Sequence, residues 1–260
     1  MSDELVAMES LAKRAGKIQL EQLNAHHYIE YKGSIDLVTD VDRACEELIV
    51  TELTKEFPGV DILAEEGSGA REKSAGRFIV DPLDGTINYA HRFPFFCVSI
   101  AFEYEGVLRA GVIYDPNRDE LFSAEKGTGA RMNGERIAVS SSTLLKQSLV
   151  ATGFAYHDYD GGDDKEVRNL KNFGNFIRRS RAVRRPGSAA IDLAWVACGR
   201  IDGFWELHLE PWDKAAGALI AAEAGGRLSS FDGSPFDLYG DEILLSNGKI
   251  HDEMIGVLKL

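Results

Sequence analysis

The sequence predicts an α+β fold, and three observations carry that expectation. Two segments with helically spaced apolar residues open the chain. A run of short strands joined by tight turns fills its middle, and strands then alternate with buried helices. The 260 residues suit one large domain or two small ones, with room for a sizeable core. Apolar residues make up 44% and charged residues 27%, the balance of a soluble globular protein.

In residues 3–24, Leu5, Met8, Leu11, Ala12, Ala15 and Ile18 share one face, which predicts a first helix. The polar, glycine-containing stretch YKGSIDLVTD reads as a loop. A second helix is expected over residues 39–57, where Val41, Ala44, Cys45, Leu48, Ile49 and Leu53 line one face and Pro58-Gly59 ends it. VDILAEEGSG reads as a short strand that breaks at Glu65 and Glu66, and Phe78 to Val80 as the next strand. From Phe95 to about Val139 a meander is expected. FFCVSIAFEYEGVLRAGVIYDP supplies two strands around a Glu105-Gly106 turn, and DELFSAEKGTGARMNGERIAV two more, with turns at Lys126-Gly127 and Asn133-Gly134.

SLVATGF reads as a strand and HDYDGGDDKE as a polar break, with a helix running on to about Arg179. SAAIDLAWVACG reads as a buried helix and GFWELHL as a strand. PWDKAAGALIAAEAGG is a helix entered at Pro211 and left at Gly225-Gly226. The change of pattern between Val139 and Leu145 predicts two parts, 1–139 and 140–260.

Composition excludes several functions. A formal net charge of −13 disfavours nonspecific binding to nucleic acid. No apolar run is long enough to span a bilayer, and MSDELVAMES lacks the marks of a signal peptide. Cys45, Cys97 and Cys198 are odd in number and widely spaced, with no CxxC, so neither a zinc site nor a disulfide framework is expected, and a reducing cytoplasm fits. Cys97 and Cys198 lie in apolar runs and read as core residues rather than nucleophiles. An anionic substrate would need a recruited positive charge, and a metal ion is the obvious source.

The acids carry the chemistry. In FIVDPLDGTINYAHRF, Asp81 and Asp84 flank Pro82-Leu83 at the end of a buried strand. Two carboxylates and a backbone carbonyl are the ligands that a hard cation such as Mg²⁺ takes. Gly85 allows close backbone approach, and a helix beginning near Thr86 would offer free N–H groups to an anion. The other reading of the same residues is an Asp-Gly turn between two strands. Glu65 and Glu66 end a strand just upstream, or form a solvated pair. Asp213 opens an apolar helix, where it would also suit the helix dipole. Asp36, Asp40 and Asp42 surround the start of the second helix, and capping suits Asp36 or Asp40. His91 reads as a surface or satisfied core histidine, the Asp158 to Asp164 run as an exposed loop, and GTG at Gly127 to Gly129 as too short to argue for a nucleotide.

DPLDGTINYAHRFP resembles the D-P-[IL]-D-G-T-x-N-[FY] signature of the inositol monophosphatase family, Mg²⁺-dependent, lithium-sensitive phosphomonoesterases. GSIDLVTDVD, ILAEEG, RRPGSAAIDLAWVACGRIDGFWE and EPWDKAAGALIAAEAGG match in order and at similar spacing, and the RRxGSAAxDLA run is similar to the bacterial branch. The resemblance implies a layered αβαβα sandwich, often dimeric, with the site between the two halves. It implies that Glu65, Asp81 and the Leu83 carbonyl hold a first Mg²⁺, and that Asp81, Asp84 and Asp213 hold a second. Asp42 would sit beside a third, weaker ion, and Glu66 would hold a metal-bound water. Gly85 and Thr86 would bind phosphate through backbone N–H groups, with Thr86, Asp42 and Glu65 acting on the attacking water. Gly187, Ser188 and Ala189 would line the substrate pocket, and Glu206 would accept hydrogen bonds from a polyol's hydroxyls.

Ile87 and Glu210 depart from common family residues, and Glu210 bears on substrate choice. Inositol monophosphate is the first expected substrate. Fructose 1,6-bisphosphate, NADP or adenosine bisphosphate, and histidinol phosphate are the alternatives. A non-catalytic partner of the transcription machinery is a reading of another class, suggested by Arg178, Arg179, Arg181, Arg184 and Arg185. A solvated helix end explains those arginines, and a binding-only descendant would be free to lose Asp84, Thr86 or Asp213.

Overall fold

A computed structural model describes residues 1–25, 29–31, 37–67, 69, 74–154 and 164–260. Helix α1 (Asp3–Gln22) starts where the Ser2 hydroxyl accepts the Leu5 N–H, and buries Leu5, Met8, Leu11, Ala12 and Ala15 along the predicted face. A short antiparallel hairpin, β1 (Ile29–Tyr31) and β2 (Leu37–Thr39), leads to α2 (Asp40–Glu56). Thr39 caps α2, and the Asp42 carboxylate reaches back to the Thr39 N–H in a capping box. Asp40 and Asp42 both lie in the first turn, and Asp42, not the expected Asp40, reaches the cap, because only the third helical position can fold back onto it. Asp36 lies outside the described residues.

The first sheet holds β3 (Asp61–Ala64), β4 (Gly76–Asp84), β5 (Cys97–Tyr104), β6 (Val107–Asp115), β7 (Glu120–Glu125), β8 (Ala130–Met132) and β9 (Glu135–Arg136), paired in chain order. Only β3 and β4 run parallel, and the rest form the expected meander with one strand more than predicted. Glu105-Gly106 and Asn133-Gly134 both take positive φ at each turn residue, the geometry that matches the twist of a two-residue hairpin. Strand β4 does not end at Val80. It runs on to Asp84, and its ladder with β5 slips between Asp81 and Asp84. Pro82 lies inside the slip, where its missing N–H costs no ladder bond.

After α3 (Thr86–Ala90) and the meander, a 3₁₀ turn (Leu145–Gln147) leads into the second half. This contains β10 (Leu149–Thr152), α4 (Asp164–Arg179), β11 (Ala182–Arg184), α5 (Ala189–Ala197), β12 (Gly203–Leu207), α6 (Pro211–Glu223), β13 (Arg227–Ser229), β14 (Glu242–Ser246) and α7 (His251–Leu258). Its sheet runs β11-β10-β12-β14-β13, parallel across β11, β10 and β12 and antiparallel beyond. The acidic run at 158–163 lies outside the described residues.

Three apolar clusters order the layers. The first joins α1 and α2 to one face of the seven-stranded sheet through Met8, Ile49, Phe78 and Val112. The second fills the space between the sheets with α5 and α6, through Leu193, Ile220, Phe122 and Phe204. The third packs α4 and α7 on the far face of the five-stranded sheet through Phe176, Met254 and Trp205. The result is the expected αβαβα sandwich. Among the described residues no helix is long and apolar enough to cross a membrane.

Candidate active site

The site forms where β4 ends, facing the N-termini of α5 and α6. At the slip in β4, the Leu83 N–H turns back to Asp81 Oδ1 at 2.9 Å. Gly85 then reverses the chain at φ 96°, and a Cβ there would lie 2.9 Å from the Phe95 carbonyl, so the position requires glycine. The Thr86 hydroxyl lies 2.9 Å from Asp42 Oδ1 and 3.1 Å from the Leu83 carbonyl, two acceptors for its one proton. Asp42 is fully buried behind it, also accepting the Thr39 N–H and hydroxyl.

The second half is tied to this turn by side chains. Asp84 Oδ2 accepts the Ser188 hydroxyl at 2.6 Å and the Ala190 N–H at 2.7 Å. Ser188 is also the cap of α5. Asn88 donates to the carbonyls of Phe95, Pro186 and Gly187 and so fixes the 186–187 turn against the first half. On α6, Asp213 Oδ2 accepts the Glu210 N–H at 2.7 Å. The helix-dipole explanation for Asp213 and a place in the site are thus both met by one side chain.

These elements enclose a cavity of about 370 Å³. Its wall includes Glu65, Asp81, Leu83, Asp84, Gly85, Thr86, Gly187, Ser188, Ala189, Glu206 and Asp213, so residues far apart in the chain share one surface. Ile87 and Glu210 are also on the wall. Asp42 stands one hydrogen bond behind it. Glu66 is not on the wall, and its N–H bonds to Glu46 Oε2 at 2.7 Å. His91 is exposed and away from the cavity.

Sequence reasoning missed Gly153, Phe154, Arg185, Asp192, His208 and Trp212 as wall residues, and gave Asn88 no role. A signal existed for Asp192, the one charged residue in the apolar helix AAIDLAWVA. None existed for Gly153. An added Cβ there would lie 2.2 Å from Glu206 Oε1, a contact between the residue that follows β10 and one on β12.

Charge is concentrated and unbalanced. Burial first, then Glu65, Asp84 and Asp213, pushes the Asp81 carboxyl well above the usual carboxylate range. Burial, then Asp84 and Glu65, does the same to Asp213. Burial also raises Asp84, against hydrogen bonds from Ser188 and Ala190, and raises Asp42, against bonds from Thr39 and Thr86. Among the described residues no three acidic, imidazole or thiol side chains are gathered tightly enough to form a cation cluster by themselves. The donor chemistry nevertheless fits a hard divalent cation: the donors are oxygens and acidic groups are in excess. Burial holds the Cys97 thiol well above its usual range, with Asp84 3.9 Å away, which removes it as a nucleophile.

A sequence model described as the inositol monophosphatase family matches residues 1–259. The chain is 45% identical over 228 residues to a Synechocystis protein named "Inositol-1-monophosphatase", covering 87% of this chain and 78% of that one. It is 40% identical over 258 residues to the Pseudomonas aeruginosa protein "Nus factor SuhB", covering 95% and 93%. The crystal structure of "extragenic suppressor protein suhB" from Bartonella henselae superposes with a TM-score of 0.93 at 39% identity, covering 99% of each chain.

Proposed function

The chain belongs to the inositol monophosphatase family, and on that premise we propose that it is a Mg²⁺-dependent phosphomonoesterase acting on a polyol monophosphate, inositol monophosphate first. Members of this family hydrolyse phosphate esters and are generally metal-dependent. The observation that carries the proposal is the cluster of Glu65, Asp81, Asp84 and Asp213, drawn from both halves onto one cavity wall where acids outnumber the single arginine, Arg185.

Glu65, Asp81 and the Leu83 carbonyl are the groups for a first ion, and Asp81, Asp84 and Asp213 for a second. The family likeness would add Asp42 beside a third, weaker one. Bound Mg²⁺ would share the charge of the phosphate dianion and lower the pKa of the attacking water. The remaining work falls to the chain. The N–H groups of Gly85 and Thr86 receive the phosphate. The Thr86 hydroxyl accepts a hydrogen bond from the attacking water and relays its proton toward Asp42 Oδ1, 2.9 Å away. Burial makes Asp42 a better proton acceptor than an exposed carboxylate. Ser188 and the first turn of α5 hold Asp84 in place. Glu206, buried in the wall, takes the hydroxyls of the alcohol.

A phosphate-release panel with Mg²⁺ tests this, using myo-inositol 1-phosphate, fructose 1,6-bisphosphate, NADP, histidinol phosphate and adenosine bisphosphate. Inositol 1-phosphate should be turned over best, and not at all in excess EDTA. A wide margin for fructose 1,6-bisphosphate would replace the polyol assignment with a sugar bisphosphatase. A second reading, a role with the transcription machinery, draws on the relative named a Nus factor. A panel silent with Mg²⁺ would leave that reading in its place. The family likeness also supports a cytoplasmic homodimer, which size-exclusion chromatography with light scattering checks.

A further inference from the structure

Helix α5 is apolar from Ala189 to Ala197 except for Asp192, which is 2% exposed. Asp192 forms part of the cavity wall, and its Oδ1 is buried with no hydrogen-bond partner. Nothing in the helix requires the carboxyl. Ser188 caps α5, and the Ala190 N–H is already given to Asp84. The Asp192 backbone N–H bonds to the Ser188 carbonyl, so the side chain is not a cap. Packing alone would favour an apolar residue, because a buried polar atom without a partner is costly. Burial pushes the Asp192 carboxyl well above the usual carboxylate range, Glu206 and Asp84 add to the shift, and Arg185 opposes it.

We propose that Asp192 is a second substrate-contacting carboxyl, a specificity-determining residue that joins Glu206 in reading two neighbouring hydroxyls of the leaving polyol. The inference rests on the phosphomonoesterase reading above. Two carboxyls on one wall suit hydroxyl groups and bring no positive charge of their own to a second phosphate, so the pair favours a polyol monophosphate over a bisphosphate. Gly153 gives the arrangement its shape, since only a residue without Cβ leaves the Glu206 carboxylate where it is. Inside this cavity the orphaned Oδ1 would gain the donor it lacks.

The test compares the wild type, Asp192→Ala and Asp192→Asn, all with Mg²⁺, on inositol 1-phosphate and on p-nitrophenyl phosphate, which has no hydroxyls. Asp192→Ala should raise KM for inositol 1-phosphate about tenfold and change KM for the aryl phosphate less than about twofold, with kcat little altered. Asp192→Asn keeps an acceptor oxygen in place and should hold KM for inositol 1-phosphate within about threefold of wild type. Should the alanine variant not fold, Asp192→Ser reads the same ratio. Parallel changes on both substrates, or none on either, overturn the inference and leave the phosphatase reading intact. So does a selective loss for histidinol phosphate alone, which would mean that the wall reads an amine. A wild type that hydrolyses the aryl phosphate and rejects inositol 1-phosphate removes the polyol reading itself, and this inference with it.

Discussion

Asp84→Asn should make the metal-free protein more stable and abolish its function. In the metal-free state Asp81 and Asp213 are both pushed well up by burial and by neighbours that include Asp84. Asparagine keeps an oxygen for the Ser188 hydroxyl and the Ala190 N–H, so the link to α5 survives. Each unit by which a neighbour raises a carboxyl corresponds to about 1.4 kcal/mol. Relieving two carboxyls at once should therefore raise the Tm of the metal-free variant above that of the wild type. Saturating Mg²⁺ acts in the opposite way on the two proteins. At about 100 times Kd it stabilises the wild type by about 2.7 kcal/mol, and the variant, lacking a ligand, by much less.

The pH dependence has a definite sign. The folded-state values of Asp81, Asp84 and Asp213 lie above those of the unfolded chain. Their contribution is fully present below about pH 4 and is lost as pH rises through the folded values. Thermal unfolding in EDTA and in Mg²⁺, from pH 5 to pH 8, measures all of this. The reasoning is refuted if Asp84→Asn in EDTA melts below wild type while keeping the full Mg²⁺ shift, or if the metal-free slope with pH is no flatter in the variant.

Thr86→Ala should lower kcat by roughly 10²-fold or more, with little change in Tm, if the hydroxyl relays a proton to Asp42; steady-state kinetics with an unchanged kcat would remove the relay. Gly85→Ala places a Cβ 2.9 Å from the Phe95 carbonyl at φ 96°, and should cost about 1–3 kcal/mol in denaturant unfolding as well as activity. Gly153→Ala meets only the mobile end of Glu206, so it should leave Tm within about 2 °C while raising KM for inositol 1-phosphate more than for an aryl phosphate. Lithium should inhibit Mg²⁺-supported turnover, as a titration of initial rates against lithium chloride would show.

The elements were legible wherever the chain repeats a local rule. The α1 face, the Glu105-Gly106 and Asn133-Gly134 turns and the Pro211 entry to α6 each follow from residues within a few positions of one another. The three-residue strands β1, β2, β11 and β13 were not assigned from sequence, and YKGSIDLVTD was read as a loop where β2 forms, because so short a run shows no period; β14 and α7 were not assigned either. The local geometry of DPLDGT was legible because the segment binds its own neighbours: Asp81 to Leu83, and Thr86 to the Leu83 carbonyl.

What the sequence by itself determined, then, was the local chemistry: which helices and turns form, and which carboxylates, glycine and hydroxyl stand together at the end of β4. What only the tertiary structure decided was every relation across the fold. The Asp42–Thr86 bond spans 44 positions and the Ser188–Asp84 bond 104, and Asn88 reaches Pro186 across 98. The contact of Gly153 with Glu206 and the orphaned Oδ1 of Asp192 belong to the same class. A residue pattern records the conformational preferences of neighbours along the chain. Burial, charge repulsion and a missing hydrogen-bond partner are properties of the space around a side chain, and that space exists only once the two sheets close on α5 and α6.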